Sequence, residues 1–119
     1  DLLTVMRSCT EGTLAETEVR FASRHACCVI AASGGYPESY PKGMPISMTR
    51  EAREHTYIAG AKEENGMLVT SGGRVTGTTA VADTLSDAVR EAYRLADGIQ
   101  FQGAYRRSDI GKRALAAEN

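Results

Sequence analysis

Near the C-terminus, Arg106, Arg107, Lys112 and Arg113 gather positive charge around one carboxylate, Asp109. Guanidinium forks suit bidentate capture of phosphate or carboxylate, so this stretch could receive a ribose 5-phosphate or an amino-acid carboxylate. A solvated basic tail that neutralises acidic neighbours is the competing reading. Ser71-Gly72-Gly73-Arg74 invites comparison with a phosphate loop, in which backbone N–H groups and a guanidinium face an anion. Its place between two expected strands favours a tight turn with a solvated Arg, because phosphate cradles usually lead into a helix N-terminus. Tyr36 and Tyr40, with Lys42 beside them, could stack on a base or ribose, or could pack a proline-rich loop.

Other reactive side chains are poorly placed for chemistry. Neither GxGxxG nor GxxxxGK[ST] occurs. His25 and His55 are the only histidines, and no Cys, Asp or Glu stands at metal-ligand spacing from either. Ser33, Ser39 and Ser71 lie outside any GxSxG elbow. Glu63-Glu64 and the Glu51/Glu54 pair read as solvated charge. The three cysteines, Cys9, Cys27 and Cys28, are odd in number and lack CxxC spacing. Neighbours in a strand point to opposite faces, so Cys27 and Cys28 are poorly placed to pair, and within an apolar run they read as small core residues of a reduced chain.

Positioning these residues requires a single domain. The 119 residues suffice to bury a core, and 42% hydrophobic with 24% charged content is ordinary for a globular protein. A net charge of −1 gives no electrostatic reason to expect nucleic acid or an anionic membrane. No apolar run approaches the roughly 20 residues that cross a bilayer, and Ala26 to Ala32 has the length of a buried strand. The first residues carry no signal-peptide pattern and no initiator Met, which suggests a processed start or a chain cut from something longer.

Apolar spacing predicts a short helix over Asp1 to Cys9, stopped at Glu11-Gly12, then a strand over Phe21 to Ser33 ended by Gly34-Gly35. Tyr36 to Pro45 holds all three prolines and predicts an ordered loop without ladder pairing. Thr56 to Ala61 and Met67 to Ser71 read as strands joined by a hairpin at Asn65-Gly66. A second turn at Gly72-Gly73, requiring positive φ, then feeds a Val- and Thr-rich strand from Arg74 to Ala82. Together these predict a three-stranded antiparallel meander. Thr84 to Ile99 is the clearest helix, capped by Thr84 with Asp87 in the first turn, and Gly98 weakens its end. Leu85, Ala88, Val89, Ala92, Tyr93, Ala96 and Ile99 form its apolar stripe. Ile110 to Ala117 is a possible terminal turn or helix. The expected class is α+β, a small mainly antiparallel sheet covered by one main helix.

Several phrases then fall into one order. They are Gly35-Tyr36-Pro37, Ser39-Tyr40 with Lys42-Gly43, Ala59-Gly60, Thr70 to Val75, Asp83-Thr84-Leu85, Phe101-Gln102-Gly103, and Arg107 to Leu115. Any one is weak, but their order and spacing over most of the chain resemble the C-terminal domain of phosphoribosylamine–glycine ligase, also called glycinamide ribonucleotide synthetase. Asp1-Leu2-Leu3 is similar to the family's helix after the ATP-grasp region, so residues 1–12 would be a linker helix and 20–119 the sheet domain, resembling the C-terminal sheet domain of ATP-grasp ligases. Arg106 departs from the family, where an aromatic or Gln is frequent, and Cys27-Cys28 replaces a plain apolar pair.

The resemblance implies a parent enzyme that joins glycine to 5-phosphoribosylamine with ATP and Mg²⁺ in purine biosynthesis, in the cytoplasm. The catalytic and metal-binding residues would lie in upstream ATP-grasp domains, with none in this chain, and no cofactor is expected here. This domain would close the substrate cleft through Arg107, Asp109, Gly111, Ser71, Gly72, Gly73, Arg74, Tyr36 and Pro37. Its partners would be the two substrates and those upstream domains, with no nucleic acid or membrane. Two alternatives stay open: a biotinyl- or lipoyl-like carrier domain, for which Lys62 is the nearest lysine to a hairpin, and an independent small-molecule binding module.

Overall fold

The computed structural model describes residues 1–117. Its elements begin with helix α1, Leu2–Glu11, where the Asp1 carboxylate accepts from the Leu3 amide at 3.0 Å. Gly12 ends it with φ 72°, as its lack of a Cβ allows. A short 3-10 turn at Leu14–Glu16 follows, then strand β1 at His25–Ser33. The predicted strand start at Phe21 is four residues early. Phe21 is 91% exposed, and pairing begins only at His25, opposite Ala82.

Next come β2 (Ser47–Met48), α2 (Arg50–Glu54), β3 (Thr56–Ile58), β4 (Ala61–Glu64), β5 (Met67–Thr70) and β6 (Arg74–Ala82). The chain closes with α3 (Leu85–Ala96), β7 (Ile99–Gln100), β8 (Ala104–Tyr105) and α4 (Lys112–Ala117). The main sheet has four strands in the order β3-β6-β1-β8, with every pairing antiparallel. β4 with β5 and β2 with β7 form two further small ribbons.

The class expected from the sequence is therefore present, but the meander is not. Thr56 to Ala61 is not one strand: β3 pairs with β6, the chain breaks at Ala59-Gly60, and β4 turns away to pair with β5. The Asn65-Gly66 hairpin is where it was expected. Glu64 sits opposite Met67, and both turn residues have positive φ, 53° and 76°. The Tyr36–Pro45 loop does reach a ladder, since Pro45 bridges Val69 while Gly43 N donates to Thr70 O at 2.7 Å. Its Tyr36–Pro37 peptide is cis.

One face of the sheet is buried. Cys27 and Val29 of β1 and Ala80 of β6 meet Ala88, Ala92, Leu95 and Ala96 of α3. The alanines bring the helix close, and burying Leu95 alone is worth about 1.5–3 kcal/mol. Thr84 caps α3 as predicted: its hydroxyl accepts from the Asp87 amide at 3.1 Å and donates to the Asp87 carboxylate at 2.8 Å. Such a cap contributes about 1 kcal/mol. Further along the same face, Ala31 and Val75 pack with Ala52, Ile99 and Phe101. A bulge between Ala31 and Ala32, which shifts their partners from Thr76 to Arg74, lets Val75 join this cluster.

Candidate functional site

Among the described residues, the other face of the sheet is the more exposed one. Side chains alternate along β1, so the residues between Cys27, Val29 and Ala31 point away from α3. Opposite residues in antiparallel strands share a face, which groups Cys28 with Thr79, Ile30 with Gly77 and Tyr57, and Ala32 with Arg74 and Tyr105. Ile30, Tyr57, Val81 and Tyr105 are 40%, 73%, 51% and 59% exposed. Gly77 lies between them, where a Cβ would come within 3.2 Å of both Cys28 Sγ and Ile30 Cδ1.

At one end of this face is a hollow of about 180 Å³. Ile30, Ala32, Tyr36 and Tyr105 make it largely apolar, and Arg74, Arg106 and Arg107 also border it. Three of the residues singled out from sequence, Tyr36, Arg74 and Arg107, thus meet across loops far apart in the chain. A second hollow, about 520 Å³, lies against the same 104–108 segment, bounded by Tyr93, Asp97 and Ser108. The two arginines of that segment stand between them. A hollow of about 330 Å³ among Met48, Arg53, Ile58, Glu63 and Leu68 contains none of the candidate residues.

Each arginine is held differently. Arg107 makes a bidentate pair with Asp109, from Nε at 2.8 Å and from Nη2 at 2.7 Å. This bond holds the Asp109 carboxyl below the usual carboxylate range and pushes the Arg107 guanidinium higher still. A guanidinium has five N–H donors, so the Nη1 side of Arg107 is left for another acceptor. Arg106 pairs with Asp97. Arg74 is exposed and forms no ion pair among the described residues.

The Ser71–Arg74 turn is a structural crossing, not a phosphate cradle. The Ser71 and Gly72 amides both donate to Gly60 O, at 2.8 and 2.9 Å, so they are unavailable to an anion. Ser33 ties the turn from the other side, its amide donating to Gly73 O at 2.8 Å and its hydroxyl to Gly72 O at 3.0 Å. The expectation of positive φ at Gly72 and Gly73 is wrong, because neither is among the positive-φ glycines. Glycine is needed there for closeness: a Cβ on Gly72 would stand 3.0 Å from Gly60 Cα, and one on Gly73 would fall inside the Tyr36 ring. That ring wedges against Gly73 and meets Tyr40 edge-on at 6.0 Å.

Pro37, Ser71, Asp109 and Gly111 do not border the hollow themselves. Asp109 acts on it through Arg107. Gly111, with φ 83°, packs its backbone against Val89 of α3. Ile30 and Tyr105 escaped the sequence reading, and so did the role of Tyr93, whose hydroxyl donates to Arg107 O at 2.6 Å and accepts from the Ile110 amide at 3.0 Å. Only the outward register of β1 could have signalled Ile30. Among the described residues, no group of three or more His, Cys, Asp or Glu stands together as a metal site, and no helix is long and apolar enough to cross a membrane.

A helix-backed antiparallel sheet, with one open face and a small hollow at its end, defines an α+β domain. The family can be stated directly. The model of the phosphoribosylglycinamide synthetase C domain matches residues 26–113, and the chain belongs to that family. It is 46% identical over 118 residues to the bifunctional purine biosynthetic protein PUR2,5 of Pichia angusta, covering 97% of this chain and 15% of that protein. It is 41% identical over 111 residues to the phosphoribosylamine–glycine ligase of Caldanaerobacter subterraneus, covering 92% of this chain and 27% of that one. The crystal structure of the Thermotoga maritima phosphoribosylamine–glycine ligase superposes with a TM-score of 0.68 at 39% identity, over 71% of this chain and 21% of that chain. The chain therefore spans only about a quarter or less of these relatives.

Proposed function

We propose that the domain serves an ATP-dependent ligase that joins glycine to 5-phosphoribosylamine in purine biosynthesis, in the cytoplasm. Its role there is to close the substrate cleft. The open sheet face around Ile30, Tyr57, Val81 and Tyr105 docks on the ATP-grasp part of the same polypeptide, and the hollow at its edge faces the cleft. On this reading the upstream ATP-grasp part holds ATP and Mg²⁺.

The observation that carries this reading is the meeting of Tyr36, Arg74 and Arg107 around one hollow in a chain of this family. Both substrates carry an anionic group, a phosphate on one and a carboxylate on the other. Arg107, aligned by Asp109 with its Nη1 side open, suits either. Positioning and charge complementarity are what such a domain adds to rate. The carrier-domain alternative has little support, because Lys62 lies in β4 and pairs with Glu64 at 3.2 Å, away from the Asn65-Gly66 tip.

The test is Arg107→Ala in the full-length ligase. Loss of one charge-assisted hydrogen bond costs about 1.5–3 kcal/mol, so kcat/KM should fall roughly tenfold to a hundredfold while the protein stays folded. Wild-type kinetics would return the basic segment to a solvated surface. The 119-residue chain alone should form no ADP from ATP, glycine and phosphoribosylamine.

A further inference from the structure

We infer that Tyr93 is a positioning residue for the anion-binding arginine, acting through its hydroxyl on the segment that carries Arg107 and Asp109; the inference rests on the reading of Arg107 given above. Tyr93 sits on α3 within the apolar stripe, and its ring packs against the core formed by Cys27, Val29 and Leu95. A tyrosine placed only for packing would leave its hydroxyl to solvent. Here both hydrogen-bonding capacities of that oxygen are used on one short segment: it donates to Arg107 O and accepts from Ile110 N.

The two bonds span the residues that matter. Arg107 and Ile110 bracket Ser108 and Asp109, so the hydroxyl closes the turn that the ion pair also spans. The segment is otherwise exposed at Arg107, Ser108 and Asp109, and it belongs to no strand or helix. Ile110 against the core and Gly111 against Val89 fix where the segment ends. They do not fix the Arg107 backbone. The hydroxyl bonds that backbone directly, and so links α3 to the residue that borders the hollow. Phenylalanine would keep the packing and remove only this connection.

The experiment uses the full-length ligase with Tyr93→Phe, Arg107→Ala and the double variant, varying glycine, phosphoribosylamine and ATP in turn. Tyr93→Phe should lower kcat/KM by about fivefold to tenfold, the worth of about one hydrogen bond. Its effect should fall on the same substrate whose KM responds to Arg107→Ala, which also tells phosphate from carboxylate as the anion. The double variant should be no worse than Arg107→Ala alone. Amide exchange at Ile110 should quicken by at least the same factor, with α3 unchanged. Wild-type kinetics in Tyr93→Phe beside an impaired Arg107→Ala overturns the inference, and so do multiplying effects or an equal loss for all three substrates. Wild-type kinetics in Arg107→Ala instead overturns the underlying reading of the site.

Discussion

Gly60 and Gly73 look interchangeable in sequence, yet the structure predicts different costs for filling them. A Cβ on Gly60 would stand 2.6 Å from Arg74 O and 2.8 Å from Gly72 Cα, both backbone atoms of a strand and a turn with nowhere to go. Relief requires parting the crossing, where Gly60 N donates to Arg74 O and Gly60 O accepts from the Ser71 and Gly72 amides. Each of those bonds is worth about 0.5–1.5 kcal/mol net, so Gly60→Ala should cost about 2–4 kcal/mol. On Gly73 the obstacle is the Tyr36 ring, a side chain already 39% exposed that can swing outward. Overpacking of that kind costs about 1–2 kcal/mol. For a chain of this length each kcal/mol lowers Tm by about 4 °C, so thermal unfolding should separate the two variants by several degrees. Equal losses, or a larger loss for Gly73→Ala, would refute the assignment of rigidity to the Gly60–Gly72 crossing. Gly73→Ala should also move Tyr36 off the hollow, and so reduce ligase kcat/KM in the full-length enzyme beyond what its stability loss explains.

Two further outcomes follow from the thiols and the ion pair. Burial pushes the Cys27 thiol up, whereas Cys9 and Cys28 are exposed; iodoacetamide should therefore alkylate Cys9 and Cys28 of the 119-residue chain and spare Cys27, as peptide mass mapping will show. In the full-length ligase Cys28 should become protected, and continued alkylation there would mean that the open face is not covered. The Asp109 carboxyl lies below its usual range because Arg107 bonds it, so its stabilising effect is complete above the unfolded value and is lost as pH falls through the folded one. An NMR titration should place its midpoint below that of an ordinary aspartate, and Arg107→Ala should raise it.

What sequence revealed and what it missed divide along the range of the interaction. The Thr84 cap, the Gly12 terminus and the Asn65-Gly66 hairpin are decided within a few residues, and each stands where expected. The α3 stripe is only partly so: the helix stops at Ala96, Leu95 joins its buried side, and Ile99 lies in β7 against Ala31 and Val75. The partner of Thr56–Ile58 is decided by β6, about twenty residues on, and nothing in the local pattern distinguishes β6 from β5. Helix α2 is too short to show a periodicity, although Thr49 caps it through the Ala52 amide at 3.2 Å. At the site, the basic character of residues 106–113 was plain. The convergence of Tyr36, Arg74 and Arg107 was not, because it depends on Ala32 pairing with both Arg74 and Tyr105. The Tyr93 hydroxyl was hidden for a different reason: helical spacing explains the ring completely and says nothing of its polar tip.

Three glycines, Gly34, Gly60 and Gly73, gain a common explanation from these contacts. A Cβ on Gly34 would stand 2.8 Å from Gly103 O, one on Gly60 would meet Gly72, and one on Gly73 would meet Tyr36. All three are places where one backbone passes against another segment, and none of Gly34, Gly60 and Gly73 has positive φ. They lie at the end of the sheet where β1 leaves, β6 enters and β8 joins, which is the end that carries the hollow. Small residues there bring separate loops to van der Waals distance, and that closeness is what sets Tyr36, Arg74 and Arg107 around one space. Gly34, Gly60 and Gly73 thus set the spacing at the end of the sheet that Tyr36, Arg74 and Arg107 border.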